Sequence, residues 1–222
     1  MKNQQHPVAG RFLCKALSVT LAATLLLSMV TVGNVFGLTV FAEEIKSEGD
    51  YAYMVRGDGT ARITKYNGTE SQVTVPEKLG GVSVSAIGER AFESCGTLRS
   101  VNIPVGVTEI DYAAFKNCLM LTNVGLSSAL TTIGMNAFDG CVALDNVDIP
   151  ESVTEIHSNA FKGTASLKSF TLHEGIQTLN TAVFEESALT SIYIPKTLSE
   201  TNDPFSGSNI TEVRFGEGIT TL

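Results

Sequence analysis

The side chains in this chain best suited to chemistry are thiols. Cys95, Cys118 and Cys141 follow one another at intervals of 23 residues. Thiolates bind soft metals, exchange disulfides and attack electrophiles, so each use can be asked of the spacing. A structural zinc site gathers its ligands in pairs at short spacing, and no histidine neighbours these cysteines. A disulfide framework pairs an even number, whereas Cys14 lies far upstream and leaves an odd three. Nucleophilic catalysis needs an orienting base. Beyond residue 42 only His157 and His173 are present, at different places relative to the cysteines and without a paired nucleophile. The acidic residues are scattered. These patterns point to no catalytic residues, no metal ligands and no cofactor.

The interval belongs to the chain as a whole. Ala91-Phe92, Ala114-Phe115, Ala137-Phe138 and Ala160-Phe161 recur with it, followed by Val183-Phe184. Further columns run Leu98, Leu121, Leu144, Leu167 and Leu189, then Val101, Val124, Val147, Phe170 and Ile192, then Ile87, Ile110, Ile133, Ile156 and Leu179. A fixed period of roughly 20–50 residues marks a solenoid, each unit being one coil. Within a coil, Val101-Asn102-Ile103 and its copies alternate apolar and polar. Several end at Pro104, Pro150 or Pro195, which predicts a short strand with one buried face. Val107–Ile110 predicts a second extended segment, and Asp111–Cys118 predicts a helical turn with its Ala-Phe pair inward. The expected fold class is therefore an α/β repeat protein, a solenoid of about six 23-residue coils. The cysteine column continues as Thr164 and Ser187, which marks a position for a small side chain that fills a gap or meets a backbone group. Glu93, Lys116, Asp139, Lys162 and Glu185 alternate in sign and predict a solvated charge ladder.

The ends depart from the period. Lys2, Arg11 and Lys15 precede an uncharged, largely apolar stretch from Ala16 to Ala42, and Val40-Phe41-Ala42 resembles a cleavage site ahead of Glu43-Glu44. Residues 1–42 are read as an export signal, which would place the rest outside the cytoplasm. The stretch is also long enough to span a bilayer, so membrane association is expected only if it stays uncleaved. Its removal moves the formal charge from -8 to -11, a balance that repels nucleic acid and anionic membrane surfaces. Residues 43–50 read as a polar linker. Residues 51–72 read as a β-hairpin cap with Asp58-Gly59 at its turn, and residues 73–222 as the solenoid. Gly218–Leu222 matches the middle of a coil, and no polar cap follows, so truncation or a covering chain is expected there.

Arg56-Gly57-Asp58 at the hairpin tip spells the tripeptide that integrins recognise. The same residues also serve turn formation, and both readings stand at this level.

The wording I-P-x-x-V-T-x-I-G-x-x-A-F-x-x-C-x-x-L-x-x-V, around Ile103–Val124 and again around Ile149–Phe170, resembles the BspA-like leucine-rich repeats. The resemblance covers roughly residues 73–222. It implies a leucine-rich-repeat solenoid on an exported, cell-surface bacterial protein. It further implies an adhesin-like role, with an extracellular protein such as fibronectin or fibrinogen, or a neighbouring cell, as partner. Departures are Thr164 and Ser187 in the cysteine column, and Asp111 and His157 where Gly88 and Gly134 stand. The alternative role is a repeat scaffold for a catalytic or wall-binding domain beyond residue 222. A binding surface is expected on the outward strand positions Ser100, Asn102, Asn123, Asn146, Asp148, Ser169, Thr171, Ser191, Tyr193 and Arg214. Tyr193 and Arg214 are the residue types that anchor interfaces.

Overall fold

The computed structural model describes residues 44–216. The expected export signal lies outside them. In chain order the strands are β1 (Ile45–Glu48), β2 (Tyr51–Val55), β3 (Ala61–Tyr66), β4 (Gln72–Thr74), β5 (Lys78–Leu79), β6 (Val82–Ile87), β7 (Ser100–Asn102) and β8 (Glu109–Ile110). There follow β9 (Asn123–Gly125), β10 (Thr132–Ile133), β11 (Glu155–Ile156), β12 (Thr178–Leu179), β13 (Ser191–Ile194), β14 (Glu200–Thr201) and β15 (Glu212–Phe215).

Each coil contributes to three walls. One wall is the long sheet β1-β2-β3-β6-β8-β10-β11-β12-β14, parallel from β3 onward. Its register pairs Ile87 with Ile110, Ile110 with Ile133, Ile133 with Ile156 and Ile156 with Leu179. The repeat columns are thus literal neighbours in space. A second wall pairs β4, β7 and β9 in parallel, and β13 with β15. Residues 45–48, within the segment read as a polar linker, form the edge strand β1. They pair antiparallel with β2 through a turn at Gly49, whose φ is 55°. All four are exposed, so backbone pairing rather than apolar burial makes this strand, and an apolar–polar pattern could not reveal it.

The third wall corrects the expected helical turn. The described residues contain no helix, so the α/β description does not hold. Arg90, Ala113, Asn136, Asn159, Ala182 and Asp203 all have φ between 49° and 59°. Four residues later Ser94, Asn117, Gly140, Gly163, Glu186 and Gly207 are left-handed as well. A right-handed helix tolerates neither column. The backbone instead alternates: Ala114 N–H returns to Asp111 at 3.3 Å and Lys116 N–H to Ala113 at 3.0 Å, closing turns within the coil. The N–H groups of Ala113, Phe115 and Asn117 reach the carbonyls of Met135, Ala137 and Asp139 in the next coil at 2.9, 2.8 and 2.7 Å. The run is a ladder of stacked turns, satisfied between coils as a strand is.

Between the walls the core is a stack of rings. Tyr66, Phe92, Phe115, Phe138, Phe161, Phe184 and Phe205 lie one above another, which makes about seven stacked coils. Neighbouring rings are 4.9 Å apart at Phe92–Phe115 and 5.3 Å apart at Phe115–Phe138, with planes only 2° apart in the latter pair. The cysteine column runs beside them, and all three thiols are buried. Cys118 Sγ donates to the Phe92 carbonyl at 3.0 Å and Cys141 Sγ to the Phe115 carbonyl at 3.1 Å. Thr164 Oγ1 donates to the Phe161 carbonyl at 2.7 Å. The neighbouring Cys141 thiol, then burial, push the Cys118 thiol far above its usual range. Cys118 is thereby held as the unreactive thiol. The charge column resolves into separate pairs: Lys116 with Asp139 at 2.5 Å and Lys162 with Glu185 at 2.7 Å.

Two outcomes follow from this packing. Glu186→Gly, which matches Gly140 and Gly163 in its column, relieves left-handed strain on an exposed residue. Unfolding monitored by circular dichroism is expected to show a gain of up to ~1 kcal/mol, or about 2–4 °C. Cys95, Cys118 and Cys141 are expected to resist iodoacetamide at pH about 8, near the usual thiol pKa, until denaturant unfolds the chain. Rapid labelling of the folded protein would contradict the buried column.

Candidate functional site

The second wall carries the outward strand positions. Ser100 and Asn102 sit on β7, Asn123 on β9, Ser191 and Tyr193 on β13, and Arg214 on β15. Asn146, Asp148, Ser169 and Thr171 occupy the same columns in the coils between. Alternation places them: Val101, Val124, Val147, Phe170 and Ile192 are buried, so the residues flanking each face outward. Ser100 pairs with Asn123, Asn123 bridges to Asn146, and Tyr193 stands opposite Arg214.

Several of these side chains are already engaged. Tyr193 Oη donates to Glu174 Oε1 at 3.1 Å, and Arg214 Nε donates to Glu212 Oε1 at 2.8 Å. The Glu212 hydrogen bond holds the Arg214 guanidinium above its usual pKa. Asn102 lies across Gly125, where an added Cβ would come within 2.5 Å of Asn102 Oδ1. Gly125 therefore seats the asparagine, a role its sequence position does not advertise.

The wall is interrupted in the middle. Strand pairing reaches Asn146 and resumes only at β13, and among the described residues none joins 147–149 to 170–172. Phe170 accounts for the gap. It stands in a column of Val and Ile, and its ring enters the core edge-on between Phe161 and Phe184, at 5.0 and 4.8 Å. The Phe161–Phe184 spacing here is 6.1 Å. A recess of about 140 Å³ opens at this interface, lined on its polar side by Asn146, Asp148, Ser169, Thr171 and His173. Four of these five are predicted site residues. His173 was not among them, although it replaces the proline that ends the strand at Pro104, Pro150 and Pro195. His173 Nδ1 accepts the Gly175 N–H at 2.9 Å, so the ring proton sits on Nε2. That atom is buried and has no hydrogen-bond partner.

The hairpin tripeptide is held from both ends. Arg56 N–H bonds the Thr60 carbonyl at 2.7 Å and Gly59 N–H the Arg56 carbonyl at 2.9 Å, with Gly59 left-handed at φ 81°. This is a type I turn with a glycine bulge, the local geometry that Asp-Gly favours. Arg56 Nη1 meets Glu109 Oε2 at 3.4 Å, and Arg62 meets the same carboxylate at 3.3 Å and Asp111 at 2.9 Å. Asp58 Oδ1 accepts from the Thr60 hydroxyl at 2.6 Å and its N–H at 2.9 Å, which hold the carboxyl below its usual pKa. Among the described residues no group of three or more His, Cys, Asp or Glu side chains is arranged to hold a metal, and no helix is long and apolar enough to cross a membrane.

Comparison with solved structures finds the same architecture in bacterial proteins. A leucine-rich-repeat protein of T. pallidum superposes with a TM-score of 0.65 at 24% identity, covering 78% of this chain and 86% of its own. A leucine-rich cell surface protein of Faecalibacterium prausnitzii A2-165 has a TM-score of 0.63 at 31% identity, covering 78% of this chain and 55% of its own. A leucine-rich-repeat protein of Bacteroides ovatus ATCC 8483 has a TM-score of 0.61 at 24% identity, covering 79% of this chain and 52% of its own. The chain thus spans about half the length of the last two. A comparison with curated protein sequences returns no match. Residues 114–222 match the BspA type leucine rich repeat region in six copies. Over that region, just under half of the sequence, the chain is similar to the BspA-type leucine-rich-repeat proteins.

Proposed function

We propose that this chain is a non-catalytic, exported surface module that binds an extracellular protein, of a host or a neighbouring cell, through the outward face of its second wall. The observation that carries the reading is the row of outward polar side chains from Ser100 to Arg214, broken by one recess, on a core filled by stacked rings. A rigid scaffold presenting such a row suits recognition of a broad partner, since binding orders few side chains. Export rests on residues 1–42, and mass spectrometry of the secreted protein is expected to find a chain beginning at Glu43. A scaffold role for a further catalytic or wall-binding domain is the second reading. It is favoured by relatives in which about half of the chain lies outside the match.

The purified protein is expected to bind immobilised fibronectin or fibrinogen saturably, and Tyr193→Ala is expected to weaken that binding by about tenfold or more, as interface aromatics do. Linear, unsaturated adsorption to both would remove the adhesin reading. Because Arg56 is engaged by Glu109 of β8 and Asp58 by Thr60, Asp58→Glu is expected to leave integrin-dependent cell attachment unchanged. Loss of attachment would restore the tripeptide as a site.

A further inference from the structure

The recess between the coils of Val147 and Phe170 has a lining that selects among ligands. We propose that it binds the ring of a neutral sugar. The partner recognised on this face, in the reading above on which this inference rests, would then present carbohydrate.

The first argument is hydrogen-bonding type. Asn146 supplies an amide that both donates and accepts, and Ser169 and Thr171 supply hydroxyls that do the same. Asp148 only accepts, while His173 Nε2 holds a proton and, buried without a partner, needs an acceptor. A phosphate or sulfate offers acceptors alone. It would meet Asp148 and a chain of formal charge -8. An ammonium or guanidinium offers donors alone and leaves His173 unanswered. A sugar hydroxyl is donor and acceptor at once, so a ring with several of them matches all five side chains. An unmet buried donor is costly, and a ligand oxygen at His173 Nε2 would remove that cost.

The second argument is shape. About 140 Å³ accommodates a single six-membered ring and is too small for several residues of an extended peptide. Phe170, Val147 and Ile149 give the recess an apolar side for the C–H face of such a ring. One coil further on, Tyr193 continues the column of Asp148 and Thr171, 39% exposed and tethered through its hydroxyl to Glu174 at 3.1 Å. Tyr193 thus offers an exposed aromatic face beside the recess for a second ring.

The test is titration of the purified protein with glucose, galactose, mannose, N-acetylglucosamine and the disaccharides lactose and cellobiose, read by saturation-transfer NMR and calorimetry. At least one sugar is expected to bind saturably, with its disaccharide tighter. Asp148→Ala is expected to weaken binding about tenfold. Phe170→Val, which restores the β-branched column and closes the gap, is expected to abolish it, whereas Lys65→Ala, exposed on β3 of the first wall, should bind as the parent does. Thermal unfolding by circular dichroism checks that each variant is folded, and Asp148→Ala carries the test alone if Phe170→Val is not. Failure of every sugar, unchanged binding by folded Asp148→Ala, or binding of arginine amide in their place would overturn the inference. Sugar failure with intact adhesion to fibronectin or fibrinogen leaves the protein-binding reading standing. Sugar binding without adhesion supports the recess and removes the protein ligand.

Discussion

Every coil depends on hydrogen bonds that it cannot make by itself. On the third wall Phe92 N–H reaches Ala114, Phe115 N–H reaches Ala137 and Phe138 N–H reaches Ala160, and the strand walls are likewise paired between coils. A lone coil would leave those groups to water and its ring unstacked, while still losing ~1–2 kcal/mol of backbone entropy per ordered residue. The constant 23-residue period follows from this, because only equal coils bring donors and acceptors into line on all three walls at once. Where the period slips, in the shorter interval between Phe184 and Phe205, the ring spacing reaches 6.4 Å.

The same coupling turns one core residue into a feature of the surface. Phe170 is larger than the Val and Ile of its column and lies edge-on to two stacked rings, at the place where strand pairing along the second wall stops. Packing and pairing compete there, and packing wins. Burying an aromatic ring contributes on the order of 3 kcal/mol, more than the ~1 kcal/mol net of a strand hydrogen bond. The result is a break in an otherwise regular face, with polar side chains around it.

Much of this architecture was legible in the residue columns. Alternation at Val101-Asn102-Ile103 identified the buried and outward faces, and the Ile87–Leu179 column matches the strand register directly. The turn wall was misread as helical because Ala-Phe followed by Cys three residues later mimics the inward face of one helical turn. Asn136, Asn159, Gly140 and Gly163 did carry the left-handed signal, but Arg90, Ala113, Ala182 and Glu186 share those columns and mask it. The outward residues were legible as a set. Their partners were not, because Glu174 beneath Tyr193 and Glu109 beside Arg56 are brought close only by stacking. The recess was visible only as two departures, Phe170 and His173, whose joint effect needs the third dimension.

The stacked turns have a direction as well as a period. Their N–H groups at Arg90, Phe92, Ser94 and the equivalents in later coils all point toward the following coil, and the accepting carbonyls all point back. Peptide dipoles of about 3.5 D aligned in this way add, as they do along a helix. This flank of the solenoid is therefore electrically polar along its length, positive toward the later coils and negative toward the earlier. Arg90 at the rear, with Glu186 and Asp203 toward the front, have the signs that such an axial field favours.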